Sequence, residues 1–119
     1  MPEPPSSPSI LSALEAVIAE RKARVSEEGG RSYVVSLLRG GVPKIGAKIT
    51  EEAAEVVEAA SEPGPEGREH LVREVADLAF HTLVLMGHCE VAWSEVEREL
   101  ARRFGIGGIE EKESRAKSG

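Results

Sequence analysis

The chain has 119 residues, enough for one domain with a modest core, and its 40% apolar and 30% charged residues are ordinary for a soluble globular protein. A net charge of −6 and the lack of a long apolar run exclude nucleic acid and membrane as expected partners. Aromatic residues make up only 3%, whereas Ala, Val, Leu and Glu dominate, and this bias favours helices over sheets.

Cysteine usage points to the cytoplasm. Cys89 is the only cysteine, so no intrachain disulfide can form and a reducing compartment is expected. Its neighbour His88 suggests a metal pair, but a structural zinc site needs about four such ligands. A small apolar residue at a helix end is the better interpretation of Cys89. The N-terminus has neither the basic nor the apolar region of a secretory signal.

Proline and glycine divide the chain into three parts. Residues 1–9 hold four of the seven prolines and are expected to form a flexible Pro/Ser-rich arm. Residues 105–119 are Gly-rich and then charged, as in a mobile tail. Residues 10–104 between them are predicted to form one all-α domain of four to five short helices.

The predicted helices follow apolar periodicity and the capping signals at their ends. They span about 10–25, 33–39, 44–60, 68–89 and 95–104. Ser32 is the expected N-cap of the second helix, which Gly40-Gly41 should close. Ser94 and Glu97 form an S-x-x-E capping box for the last helix. The breakers at 61–67 predict a short loop, which makes the flanking helices antiparallel neighbours.

The helix at 44–60 places a carboxylate among core residues. Successive helical residues rotate by about 100°, which aligns four apolar side chains in one stripe: Ile45, Ile49, Val56 and Ala60. Glu52 falls in the middle of this stripe, with Glu55 and Lys48 along its edge. A carboxylate in that position needs a cation or a partner. Glu51 and Glu58 turn toward solvent, where pairs with nearby lysines account for them well.

The helix at 68–89 carries a second acidic stripe. It is apolar nearly all round from Leu78 to Met86, so it should be the central buried helix. Glu74, Asp77, His81 and His88 nevertheless share one face. A lone histidine on such a helix is more often a satisfied core residue than a ligand. His81 is therefore predicted to lie behind the site, where it would orient a carboxylate, rather than to bind metal.

Packing the two helices side by side brings four carboxylates together: Glu52, Glu55, Glu74 and Asp77. Like charges at close range raise one another's pKa unless a cation lies between them. Carboxylate oxygens are hard ligands of the kind that suit Mg²⁺. The first hypothesis is therefore a Mg²⁺–carboxylate site that acts on phosphate esters.

Five stretches of sequence resemble a known family. The motifs E-E-x-x-E at 51–55 and E-x-x-D at 74–77 together resemble the signature of the MazG-like all-α NTP pyrophosphatases. The Ser-Tyr segment at 32–38, the Ala-Asp-Leu run at 76–85 and the G-x-E-E-K-x-S-R ending at 108–115 are similar to the phosphoribosyl-ATP pyrophosphohydrolase family within them. Thr50 and Phe80 stand where that family usually has glycine and tyrosine, and neither position should coordinate metal.

The resemblance implies an all-α fold completed as a helical bundle by dimerisation. It also implies Mg²⁺-dependent hydrolysis of phosphoribosyl-ATP to phosphoribosyl-AMP and pyrophosphate in histidine biosynthesis. The implied metal ligands are Glu52, Glu55, Glu74 and Asp77, with Mn²⁺ as a possible substitute for Mg²⁺. The expected catalytic residues are Glu51, as base, and Lys48, while substrate phosphate contacts fall to Lys44, Lys112 and Arg115.

Two other functions share parts of this pattern. A nucleotide-cleansing pyrophosphatase that acts on deoxy- or noncanonical NTPs would have the same acidic core. A non-enzymatic helical dimerisation module could carry solvated acidic faces without any metal. The chain has no fused cyclohydrolase domain, so the phosphoribosyl-AMP cyclohydrolase that acts next is expected on a separate chain.

Overall fold

A computed structural model describes residues 9–26 and 32–105 of the chain. These residues form four helices: α1 (Ile10–Ala23), α2 (Tyr33–Ala60), α3 (Gly64–His88) and α4 (Trp93–Phe104). No strand occurs in the described ranges, and the predicted all-α fold is confirmed. The predicted arm and tail fall almost entirely on residues 1–8 and 106–119, which lie outside the described ranges.

Hydroxyl caps begin the first two helices. Ser9 Oγ accepts a hydrogen bond of 3.1 Å from the backbone N–H of Ser12 at the start of α1. Ser32 does the same for α2, accepting from the N–H of Val35 at 3.3 Å, as the sequence predicts. Each bond satisfies a backbone donor that has no partner within the first turn of its helix.

The start of α4 differs from the prediction. The helix begins at Trp93 rather than Glu95, and the Glu95 carboxylate, not the Ser94–Glu97 pair, closes the first turn by accepting from the Ala92 N–H at 2.9 Å. Glu15 of α1 accepts from the N–H of Trp93 at 2.7 Å. A local contact from Glu95 and a contact from another helix thus take the place of the expected Ser94–Glu97 capping box.

A backbone break at Gly41 divides α2 into two helical segments. Gly41 has φ 68° and ψ −161°, outside the helical region, and Pro43 follows it. The two helices predicted at 33–39 and 44–60 are therefore distinct but continuous. Only glycine adopts this backbone conformation without strain, because a Cβ would collide with the neighbouring peptide.

Gly41→Ala should destabilise the fold by about 1–3 kcal/mol, because the strain is in the backbone itself. Beyond the two adjacent residues, a Cβ added at Gly41 meets only ordinary contacts, at 3.8 Å from Pro43 and 3.9 Å from His88. Gly46→Ala is the matched control, because a Cβ there meets no atom within 4 Å. That variant should be neutral or gain up to about 1 kcal/mol. Urea unfolding followed by circular dichroism measures the free energy of unfolding of both variants. Equal changes would contradict the conclusion that the backbone at Gly41 requires glycine.

The helix α3 begins four residues before the predicted start at Arg68, so the connecting loop is only 61–63. The sequence predicts Pro65 as a loop residue, but proline is tolerated in the first turn of a helix because that turn needs no N–H donor. Gly67, in the same turn, is buried under the loop. A Cβ at Gly67 would lie 2.3 Å from the backbone oxygen of Glu62, so only glycine allows this approach.

The core forms where α1 and both segments of α2 meet α3. Its buried members are Ile18, Leu37, Leu38, Ile45, Leu83 and Val84. The helices α2 and α3 run antiparallel. Two contacts show this: Tyr33 meets His81 near one end, and Glu62 meets His70 near the other. Lys22 of α1 ties the end of α3 by donating to the carbonyl oxygen of Gly87 at 3.0 Å. A cation there also complements the negative end of the helix dipole.

Within the described ranges, no single helix is long and apolar enough to cross a membrane. The helices α3 and α4 meet that test only as a pair, bent by 108°, and by length and composition alone. A buried core helix can meet the same test.

Candidate active site

Three carboxylates meet between α2 and α3. Glu52 and Glu55 lie one turn apart on the second segment of α2, and Glu74 faces them from α3. One oxygen of each lies within 4.8 Å of an oxygen of the other two. Glu52 is buried, at 9% exposure, because it occupies the apolar stripe of α2 as the helical periodicity predicts. We call these three residues the acidic cluster.

The acidic cluster lacks hydrogen-bond donors where it is most buried. In their ionised form, Oε2 of Glu52 and Oε1 of Glu74 have no hydrogen-bond partner among the described residues. Burial, followed by contacts with the carboxyl groups of Glu74 and Glu55, raises the pKa of Glu52 to about 7. Contact with Glu74 raises the pKa of Glu55 as well. The pKa of Glu74 itself is lowered, because it accepts hydrogen bonds from Glu52 and Glu55 in their protonated forms.

These features fit a divalent cation. Without a cation, repulsion among three close carboxylates favours protonation of at least one of them, whereas a cation between them allows all three to be ionised. A cation between them would supply the partner that the two buried oxygens lack, and oxygen ligands of this type suit Mg²⁺. The donor set is therefore compatible with the predicted metal.

Asp77, the fourth predicted ligand, lies at the margin of the acidic cluster. Its side chain is exposed, and it is not among the three residues whose oxygens lie within 4.8 Å of one another. Its charge still helps to raise the pKa of Glu52, as the smallest of the named causes. The structure thus brings three of the four predicted ligands together and leaves the fourth nearby at the surface.

His81 is buried, at 5% exposure, and its contacts show that Nδ1 carries a hydrogen. Nδ1 lies 2.8 Å from the backbone carbonyl of Asp77, which can only accept, so Nδ1 carries the hydrogen. Nε2 lies 2.8 Å from the hydroxyl of Tyr33, within hydrogen-bond distance. The ring of Phe80 packs edge-on against His81, with centroids 4.9 Å apart. Both nitrogens are occupied, and they reach a peptide and a hydroxyl rather than a carboxylate side chain.

The two predicted catalytic residues contact each other. Lys48 Nζ lies 3.3 Å from Oε2 of Glu51, one turn along α2, and the hydrogen bond to Glu51 raises the pKa of Lys48. Lys44 instead donates to the hydroxyl of Ser36 at 2.6 Å. The remaining predicted phosphate contacts, Lys112 and Arg115, lie outside the described residues.

The sequence did not predict a role for His70 or Glu62, but the structure connects both to Glu74. His70 Nε2 lies 3.1 Å from Oε2 of Glu74, and Nδ1 lies 2.9 Å from Oε1 of Glu62. Glu62, and to a smaller extent Glu74, raises the pKa of His70. The available signal was the four-residue spacing from His70 to Glu74, which places both on one face of α3.

A separate cavity of about 780 Å³ lies between α1 and the end of α3. Its lining is mainly small and apolar, with Glu15, Lys22 and Glu90 at its polar edge. It contains none of the predicted site residues. The acidic cluster is thus not part of this cavity.

Known proteins similar to this chain identify its family. Residues 11–104 match the family model described as phosphoribosyl-ATP pyrophosphohydrolase. A Geotalea daltonii protein named phosphoribosyl-ATP pyrophosphatase is 52% identical over 107 residues, which cover 89% of this chain and 94% of that one. Proteins of the same name from Rhodopirellula baltica and Neisseria meningitidis serogroup C are 43% and 44% identical, over 91% and 92% of this chain and 90% and 97% of theirs. The resemblance inferred from the motifs is confirmed, and the chain belongs to the phosphoribosyl-ATP pyrophosphohydrolase family.

Proposed function

We propose that this chain hydrolyses phosphoribosyl-ATP to phosphoribosyl-AMP and pyrophosphate in histidine biosynthesis, with Mg²⁺ as cofactor and Mn²⁺ as a possible substitute. The observation that carries the proposal is the acidic cluster, with Glu52 buried and two oxygens that have no hydrogen-bond partner in the ionised form among the described residues, in a chain of this family. The relatives at 43–52% identity bear the corresponding name. A reducing cytoplasm, which suits the single cysteine, is the proposed location.

The acidic cluster would hold Mg²⁺ through Glu52, Glu55 and Glu74, and Asp77 is positioned at the margin to join them. When bound, Mg²⁺ supplies positive charge that neutralises phosphate oxygens and acidifies water. The protein contributes placement: Glu52 is fixed by core packing and Glu74 by its contact with His70 on α3. His81 holds the peptide of Asp77, which keeps that turn of α3 in place.

The pair formed by Lys48 and Glu51 has a direct use in this reaction. An exposed ion pair is weak, so a substrate phosphate can displace Glu51 from Lys48. The released carboxylate is then available to accept a proton from the attacking water. Lys44 would add a second positive charge after leaving Ser36. Phosphate contacts by Lys112 and Arg115, proposed from the charge of the tail, involve residues outside the described ranges.

A homodimer is the proposed assembly. Apolar side chains remain exposed on α2 and α3, among them Val57 at 73%, and on α4, where Phe104 is 66% exposed. Leu100 and Phe104 lie four residues apart on one face of α4, and Leu100 is 44% exposed. A second copy that covers these faces would remove apolar surface from water. The cyclohydrolase that acts on phosphoribosyl-AMP is proposed to be a separate functional partner.

Substrate preference tests the proposed function. Pyrophosphate release should be faster from phosphoribosyl-ATP than from any member of a dNTP panel, by at least about tenfold in kcat/KM, because groups that bind the extra ribose phosphate recognise only that substrate. EDTA should remove the activity and Mg²⁺ should restore it. A dNTP turned over faster would indicate a nucleotide-cleansing enzyme. Absence of any turnover, with a thermal midpoint insensitive to Mg²⁺, would indicate a non-enzymatic helical module.

A further inference from the structure

His70 connects the α2–α3 loop to the acidic cluster through both of its ring nitrogens. Nδ1 is 2.9 Å from Oε1 of Glu62 in the loop, and Nε2 is 3.1 Å from Oε2 of Glu74 in the cluster. The two carboxylates come from different parts of the chain. A ring held at two points cannot rotate about its side-chain torsions without losing a hydrogen bond.

The fold specifies this arrangement at several positions. Glu62 lies in the three-residue loop, and the buried Gly67 allows the backbone of Glu62 to close over the first turn of α3. His70 follows Gly67 by almost one turn and precedes Glu74 by slightly more than one. Glu74 is the most buried of the three polar side chains, at 14% exposure against 31% for His70. The chain of contacts therefore runs from the surface loop into the acidic cluster.

The two carboxylate oxygens of Glu74 differ in their hydrogen bonding. Oε2 is occupied by His70, whereas Oε1 is buried and, when Glu52 and Glu55 are ionised, has no hydrogen-bond partner among the described residues. Fixing one oxygen restricts rotation of the whole carboxylate, so the other oxygen is held at the cluster before any cation arrives. Loss of a hydrogen bond to a metal ligand commonly lowers metal affinity by about 10–100-fold.

We propose that His70, held by Glu62, is a positioning residue that fixes the Glu74 carboxylate for a divalent cation. The inference rests on the proposed function in that it requires the acidic cluster to bind metal. The competing explanation is that His70 only fastens the loop to α3. These explanations differ in one respect: a loop fastener affects stability, whereas a positioning residue affects cation affinity in the folded protein.

A charge effect and a positioning effect of His70 predict opposite changes in cation affinity. If His70 acted only through positive charge near the acidic cluster, its removal would strengthen cation binding, because a repelling charge is lost. If His70 positions Glu74, its removal weakens binding. Opposite signs for the two effects make the measurement decisive without any reference to enzymatic turnover.

The experiment is a Mn²⁺ titration of the full chain, with free Mn²⁺ measured by electron paramagnetic resonance. His70→Ala should raise the Kd for Mn²⁺ by about 10–100-fold. His70→Gln should restore most of the affinity, because its amide nitrogen can occupy the place of Nε2 and donate to Glu74. Glu62→Ala should give a smaller loss, since His70 keeps its bond to Glu74. Glu69→Ala, an exposed neighbour on α3, is the matched control and should change little.

The outcomes separate the inference from the proposed function. Wild-type protein that binds Mn²⁺, with His70→Ala equal to it or tighter, would overturn the positioning role and leave the metal site intact. Wild-type protein that binds no Mn²⁺ would overturn both. If His70→Ala does not fold, the comparison of Glu62→Ala with wild type decides the matter, and equal affinities would count against positioning. Circular dichroism without metal reports folding of each variant.

Discussion

Glu52→Gln should abolish turnover of phosphoribosyl-ATP and at the same time make the metal-free protein more stable. Glutamine has nearly the same shape as glutamate, but it carries no charge and its amide can donate to the unpartnered oxygen of Glu74. Relief of a buried unsatisfied carboxylate is worth about 1–3 kcal/mol, which corresponds to a rise of several degrees in the thermal midpoint. Mutation of a residue that hydrogen-bonds to a metal ligand lowers metal affinity or activity by up to about 100-fold. Loss of a direct ligand such as Glu52 should lower kcat/KM by more than that.

Thermal unfolding in EDTA and steady-state kinetics in Mg²⁺ provide the two measurements on the same preparation. Glu58→Gln is the matched control, because Glu58 lies on the same helix but is exposed and is predicted to be plain surface charge. It should leave both quantities nearly unchanged. A folded Glu52→Gln variant with a lower midpoint, or with wild-type turnover, would show that Glu52 is not held as a cation ligand.

The metal-free protein should lose stability as the pH rises from about 5 to above 7. A carboxyl group whose pKa is raised on folding contributes stability that is fully present below its unfolded pKa and is lost as the pH passes its folded pKa. Glu52, with its pKa raised to about 7, and Glu55, with its pKa raised, both act in this direction. Glu74 acts oppositely, because its lowered pKa adds stability that is lost only as the pH falls through that value.

Saturating Mg²⁺ should remove this loss, because a cation that binds only the folded state stabilises it by mass action. Urea unfolding at pH 5, 6, 7 and 8, with EDTA or Mg²⁺, measures the effect, and one proton corresponds to at most about 1.4 kcal/mol per pH unit. Glu52→Gln should make the EDTA profile less steep, while the raised pKa values of Glu55 and His70 keep part of the loss in place. A metal-free protein whose stability rises steadily over this interval would contradict the raised pKa of Glu52.

Helical periodicity predicted the features that depend on one helix alone. The rotation of about 100° per residue placed Glu52 among apolar side chains, and it is buried in the structure. The paired glycines predicted the interruption of α2, and Gly41 has the conformation that explains it. In both cases the residues that determine the feature are neighbours in sequence.

Features that depend on two helices could not be predicted in the same way. Asp77 shares a helical face with Glu74, but periodicity does not say how far along α3 the neighbouring helix reaches, and Asp77 lies at the margin. The start of α4 depends on a bond from Glu15, 78 residues away from Trp93. The partnership of Glu62 and His70 similarly required the actual course of the loop.

The interruption at Gly41 also separates the helical phase of the two segments of α2. In an unbroken helix, one inserted residue rotates everything beyond it by about 100° and would turn Glu52 out of the interface. Because the backbone leaves the helical conformation at Gly41, the segment that carries Tyr33 and the segment that carries Glu52 have independent rotational settings. Changes of length near this junction can therefore be absorbed locally, without altering which face of α2 presents its carboxylates to α3.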